Sequence, residues 1–144
     1  MRLFGSDAKV EALRRAPLFE GLSKKELEQL ATLADDLEVP SGKVLTRQGE
    51  TGREFFVLMD GQVEVERDGE SLGTLGAGNF IGEISILEDM PRTATVTAST
   101  PVRLFVLTAQ NFRSVVEQQP EVENKVLRTL ARRLAAMSDD PAVS

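Results

Sequence analysis

Cysteine, histidine, tryptophan and tyrosine are all missing from this 144-residue chain, and seven phenylalanines are its only aromatics. Without Cys there is no disulfide frame, no thiolate nucleophile and no Cys-based zinc or iron–sulfur site. Without His there is no Ser–His–Asp or Cys–His catalysis, no haem–His ligation and no His-held metal. A surplus of positive charge is missing too. The 17 basic and 23 acidic side chains leave a formal charge of −6, which argues against nucleic acid as the main partner, because phosphate neutralisation needs clustered Lys and Arg. No run of about 18 apolar residues exists, so no transmembrane helix is expected. At the N-terminus the apolar run Leu3-Phe4 is short and Asp7 follows too soon for a secretory signal. A cytoplasmic protein is the default expectation.

Hydrophobic residues make up 41% of the chain and 11 residues are glycine, a globular composition. One domain over residues 1–144 is expected, long enough to bury roughly 68–70% of its unfolded surface without a staple. The patterning divides it into helix, strands and helix. Val10, Leu13 and Arg14 at helical spacing predict a short helix over Asp7–Arg15, which Pro17 breaks. Ser23 followed by Glu26 is the arrangement of a capping box, and Leu27, Leu30, Ala31 and Ala34 give the second helix, 24–34, one apolar face. From Leu37 to Leu107 the period is two. Val63 and Val65 alternate with acids, and Asp60-Gly61 and Asp68-Gly69 read as hairpin turns. Short strands with Gly turns at this spacing predict a mainly β, α+β architecture: an antiparallel sandwich or jelly roll with N-terminal helices and two C-terminal helices. Thr108 is placed to cap the first of those (Phe112, Val115, Val116 apolar), and Pro120 to open the last, whose stripe is Val122, Val126, Leu130, Leu134 and Met137. The tail, 138–144, is expected to fray.

Chemistry concentrates in Asn79–Leu87 and Pro91–Val96. Gly82 permits torsions that other residues resist. Glu83–Leu87 has the length of one helical turn, whose first N–H groups suit an anion. Arg92 follows across the turn Glu88–Arg92 and opens the next expected strand, 93–97. Its forked guanidinium suits a phosphate. Glu83 would repel that phosphate, but a buried acid there accepts from a neutral hydroxyl such as a ribose. The residues alone leave two readings: a ribose-phosphate pocket, or Glu83 and Arg92 paired with each other on an ordinary loop.

The string Gly82-Glu83-Ile84-Ser85 with Pro91-Arg92-Thr93-Ala94-Thr95-Val96 resembles the phosphate-binding cassette of cyclic nucleotide-binding domains, here 80–96. The resemblance extends from about Pro17 to Ala135 and covers Leu18-Phe19, the Gly-rich turns and both trailing helices. It implies a double-stranded β-helix that binds cyclic AMP or cyclic GMP and no metal. It implies that N–H groups near Ile84 and Ser85, together with Arg92, hold the cyclic phosphate. Glu83 would take the ribose 2′-hydroxyl, and Gly82 the close backbone approach. Val65, Gly73 and Leu75 would line sugar and base, with Thr93 and Ala94 completing the site. The Ser85 hydroxyl would touch phosphate or cap the turn; Thr93 would meet a syn guanine or serve only as a β-branched residue. Size and composition of bacterial type favour cyclic AMP.

The last helix of such a domain closes over the nucleotide or pairs with a second copy. With no aromatic after Phe112, the base cap falls to Leu127, Leu130, Leu134 or an Arg. A homodimer through the Val122–Met137 stripe and a protein effector are the partners this implies. The chain ends after that helix, so DNA binding through a following helix-turn-helix is not expected. Other motifs carry less. Gly73–Gly78 lacks the Gly-Lys-Ser/Thr ending of a phosphate loop and reads as a turn; Ser41-Gly42-Lys43 fails likewise. Asp35-Asp36, Glu88-Asp89 and Asp139-Asp140 lack calcium-loop spacing and read as solvated turns. A cupin-type metalloenzyme needs clustered His. A nucleotide hydrolase would need a metal or a nucleophile–base pair, and none is visible, so no enzyme is expected. An interaction domain of the same fold with an empty or differently filled pocket is the other class.

Overall fold

A computed structural model describes residues 2–87 and 90–137. Eight strands among them form two four-stranded sheets, antiparallel throughout. The first sheet has the order β1 (Asp35–Val39), β8 (Val102–Thr108), β3 (Glu54–Asp60), β6 (Phe80–Ile81). The second has the order β2 (Val44–Thr46), β7 (Thr95–Ala98), β4 (Gln62–Arg67), β5 (Glu70–Gly76). This is the expected jelly roll.

Strands β3 and β8 are apolar without alternation because both their faces are covered. Phe56, Leu58, Leu104 and Val106 pack between the sheets against Val63, Val96 and Ala98. Phe55, Val57, Phe105 and Leu107 point the other way, into a core made with the helices. There the Phe55 and Phe112 rings stack at 4.0 Å between centroids, an arrangement worth about 0.5–1.5 kcal/mol beyond its buried area.

Five helices supply that second core, the shortest of them through Ile86. Helix α1 spans Arg2–Arg15, starting earlier than the expected Asp7, and a 3-10 turn at Pro17–Phe19 follows. Helix α2 (Lys24–Leu33) carries the full capping box: Glu26 N–H donates to Ser23 Oγ (3.1 Å) and Ser23 N–H to Glu26 Oε1 (2.8 Å). Two helices follow the β-roll, Ala109–Gln118 and Pro120–Met137, which the short helical turn Glu83–Leu87 makes α4 and α5, itself being α3. Thr108 caps α4 by accepting from Asn111 N–H at 3.1 Å. Val122, Val126 and Leu130 of α5 are buried as the stripe required. Leu134 and Met137 side chains lie outside the described ones. Lys125 Nζ ties α5 to the 3-10 turn by donating to the Pro17 and Glu20 carbonyls, both at 2.9 Å.

Four local expectations need correction. Asp35-Asp36 is not a turn but the start of β1, where the two residues pair with Val106 and Phe105 of β8. Asp60-Gly61 is not a hairpin turn: β3 pairs with β6 and β8 whereas β4 pairs with β5 and β7, so the chain crosses there from one sheet to the other. Asp68-Gly69 is the true hairpin, joining paired strands with φ of 54° and 80°, the double positive φ of a type I′ turn. Gly73–Gly76 belongs to β5 rather than to a turn, because a strand half exposed to solvent tolerates glycines that a buried one would not. Arg92 does not open a strand. Its backbone bonds Gly49 N–H and the Glu50 carbonyl, both at 2.8 Å, and the chain bends at Thr93-Ala94 before β7 begins at Thr95. Residues Glu88-Asp89, the Asp139-Asp140 pair and the tail lie outside the described residues, so the expectations for them have no structural counterpart.

Candidate functional site

Helix α3 stands where expected, entered through Gly82. That glycine has φ 102°, and a Cβ there would sit 2.6 Å from both the Glu54 carbonyl oxygen and Arg92 Nη1. Position and torsion both demand glycine. Beyond α3 a cavity of about 420 Å³ opens against the second sheet. Nine of the ten sequence-predicted residues line it: Val65, Gly73, Leu75, Gly82, Glu83, Ser85, Arg92, Thr93 and Ala94. The tenth, Ile84, is expected to act through its backbone N–H, and its side chain is outside the described ones.

Arg92 is 6% exposed. Its Nη1 donates to Ser85 Oγ (3.0 Å) and the Gly82 carbonyl (3.3 Å), and Nη2 to the Glu54 carbonyl (2.7 Å). A guanidinium has five N–H donors, so these three contacts leave two for another acceptor. Burial pulls its pKa below the usual arginine value, against the opposing pull of Glu54 and then Glu83; the group remains a cation at neutral pH. Of the two roles open to Ser85, the hydroxyl is seen in the turn's own bonding, donating to Gly82 O at 3.3 Å while accepting from Arg92.

Glu83 is 1% exposed, and it does not pair with Arg92. Its Oε1 accepts from Arg133 Nη1 on α5, and its Oε2 has no hydrogen-bond partner among the described residues. A buried carboxylate oxygen without a donor is costly. Arg133 also donates to the Phe80 carbonyl, and its guanidinium carbon lies 5.1 Å above the Phe80 ring. The base-cap candidates separate accordingly. Leu127 is 49% exposed and Leu130 packs in the core, whereas Arg133 alone of the described α5 side chains lines the cavity.

Arg133 is the chief residue that sequence reasoning missed; Arg128, Arg132 and Arg133 look alike in the sequence, and only the helix phase relative to Glu83 selects one. Thr46, Arg67, Leu72, Thr74, Ile81 and Val96 line the cavity as well. Leu72 is the bulged residue of β5, since Val65 faces Gly73 while Glu66 faces Ser71. The bulge turns Leu72 toward the cavity mouth. Thr46 Oγ1 fixes the bend after Arg92 by donating to Ala94 O at 3.0 Å. Arg113 of α4 reaches the far end of α3, donating to Ile86 O at 3.0 Å. So arginines from α4 and α5 hold the two ends of α3. No group of acidic, His or Cys residues among the described ones is arranged to hold a metal ion.

Fold and cavity define a class of protein, a β-roll whose cavity is lined by a buried arginine and a buried glutamate. Comparison with known proteins gives the family. Residues 36–119 match the model of the cyclic nucleotide-binding domain. A CRP-like cAMP-activated global transcriptional regulator of Mycobacterium tuberculosis is 31% identical over 137 residues, 92% of this chain and 61% of that protein. A cyclic nucleotide-gated potassium channel of Rhizobium etli is 35% identical over 117 residues, 81% of this chain and 33% of the channel. Among solved structures, the regulatory subunit of a cAMP-independent protein kinase A from Trypanosoma brucei superposes with a TM-score of 0.78 at 25% identity, covering 88% of this chain and 46% of that one. The chain belongs to the cyclic nucleotide-binding domain family. It spans less than two thirds of the length of these relatives. No described helix is long and apolar enough to cross a membrane.

Proposed function

We propose that the chain is a cyclic-nucleotide sensor module whose first ligand is cyclic AMP and whose C-terminal helices respond to it. One observation carries this reading. Arg92, with two N–H donors to spare, and Glu83, with a buried unpartnered oxygen, open onto the same cavity. A cyclic ribose phosphate satisfies both at once: its monoanion meets Arg92 and the first N–H groups of α3, and its 2′-hydroxyl donates to Glu83 Oε2. Gly82 admits the phosphate against the backbone. Val65, Gly73, Leu75, Thr93 and Ala94 form the wall for sugar and base. The mycobacterial relative, itself named as cAMP-activated, supports adenine; Thr93 keeps cyclic GMP as the competitor to be titrated beside it.

The response follows from Arg133. Glu83 holds α5 through Oε1 and offers Oε2 to the ribose, so ligand and helix share one carboxylate. A micromolar ligand supplies about −8 kcal/mol in all, and only the part that differs between open and closed states moves α4 and α5. The output is a protein partner, or a second copy through the α5 stripe, in the cytoplasm.

A second reading is favoured by the likeness to a cAMP-independent kinase subunit: the same roll used as an interaction domain without cyclic nucleotide. Calorimetric titration with cyclic AMP and cyclic GMP separates the two. Wild type is expected to bind at least one, and Arg92→Ala to bind about tenfold or more weakly, since a hydrogen bond to a charged group is worth about 1.5–3 kcal/mol. A folded wild type with neither heat nor thermal shift for either nucleotide removes the sensor reading.

A further inference from the structure

Gly52 lies in the loop before β3, away from the cassette in sequence. It is not among the glycines with positive φ, so its backbone conformation is open to any L residue. Its surroundings are not. A Cβ built on Gly52 would lie 1.7 Å from Arg92 Nε, 2.1 Å from Cζ and 2.5 Å from Nη2. All three nearest atoms belong to one guanidinium. Ordinarily the end of an arginine swings aside from such a clash at little cost. This one is 6% exposed and held by three hydrogen bonds, to Gly82 O, Ser85 Oγ and Glu54 O. On another side it meets Gly82, where a Cβ would come within 2.6 Å of Nη1. The guanidinium thus occupies a slot between two glycines, and it cannot shift without giving up bonds that aim it at the cavity.

We infer that Gly52 is a positioning residue of the anion site: the side chain it lacks is the space in which the Arg92 guanidinium lies. The inference deepens the sensor reading for ligand affinity, but the clash itself does not depend on any ligand. At Gly82 torsion and clearance are both in play; at Gly52 clearance is the only constraint, which makes it the cleaner probe.

The test is a cycle of four proteins: wild type, Gly52→Ala, Arg92→Ala and the double variant, each assayed by thermal unfolding without ligand and by calorimetry with cyclic AMP and cyclic GMP. With Arg92 present, Gly52→Ala lowers the midpoint and weakens nucleotide binding by about tenfold or more, the equivalent of one charge-assisted hydrogen bond. With Arg92 truncated, the methyl group enters vacated space. There Gly52→Ala leaves the midpoint unchanged or raises it, as Gly→Ala does where the backbone permits, and binding falls no further than in Arg92→Ala alone. A glycine needed for any other reason lowers the midpoint equally in both backgrounds, and that result overturns the inference. So does a Gly52→Ala protein with wild-type midpoint and affinity. Should wild type bind neither nucleotide, the sensor reading fails while the thermal cycle still decides the role of Gly52.

Discussion

Replacing Arg133 with methionine keeps most of the side-chain volume and removes its charge. In the structure that charge faces a carboxylate that is 1% exposed, while the Arg133 side chain itself is 25% exposed. Removing one partner of a buried ion pair costs about 3–5 kcal/mol because the other charge is left unpaired. Partial exposure of Arg133 places the expected loss lower, at about 2–3 kcal/mol, with the contact over Phe80 adding roughly 0.5 kcal/mol. For a chain of this size each kcal/mol moves the midpoint by roughly 2–4 °C, so Arg133→Met is expected to melt about 5–14 °C below wild type. Glu83→Gln removes the same ion pair from the other side and leaves a neutral amide. The double variant has no unpaired charge, so its loss is smaller than the sum of the two by about 1.5–3 kcal/mol. Urea unfolding of the four proteins measures this directly. Losses that add within about 0.5 kcal/mol would refute the tether between α5 and the cassette, and with it the route from ligand to helix.

Two further outcomes test the frame around the site. Ser23→Ala removes the hydroxyl that caps α2 and is expected to cost about 1 kcal/mol in urea unfolding. The bond from Ser23 N–H, followed by that with the Ser23 side chain, holds the Glu26 carboxyl below the usual glutamate range. A lowered folded-state pKa contributes stability that is present at neutral pH and lost as pH falls through the carboxylate range. Carboxyl NMR titration should find Glu26 low in wild type and closer to the usual value in Ser23→Ala; identical titrations would contradict the capping box. Phe112→Ala removes a ring that is 1% exposed and stacked on Phe55, and is expected to cost about 3–5 kcal/mol. A loss under about 1 kcal/mol would mean that α4 is not seated on the sheet as described.

The elements with local signals were legible in the sequence: the Ser23–Glu26 box, the Thr108 cap, the alternation around Val63, and the buried Val122, Val126 and Leu130. Gly82, Glu83 and Arg92 stood out by chemistry of their own, with two readings open, and the family resemblance pointed to Val65, Gly73, Leu75, Thr93 and Ala94, which line the same cavity. What stayed hidden depends on pairing at long range. Asp60-Gly61 has the composition of a hairpin, and only the choice of strand partners makes it a crossing between sheets. Strand β5, with Ser71, Gly73 and Gly76, carries no alternation to read. Gly52 and Arg133 gain their meaning from Arg92 and Glu83, each dozens of positions away, and no periodicity links such residues.

The most direct measurement is a crystal structure of the protein grown with cyclic AMP. The account predicts the cyclic phosphate within hydrogen-bond distance of the Arg92 guanidinium, with the ribose 2′-hydroxyl on Glu83 Oε2 and Arg133 still on Oε1. A cavity that stays empty at saturating nucleotide, or a nucleotide bound with its phosphate away from Arg92, would contradict it.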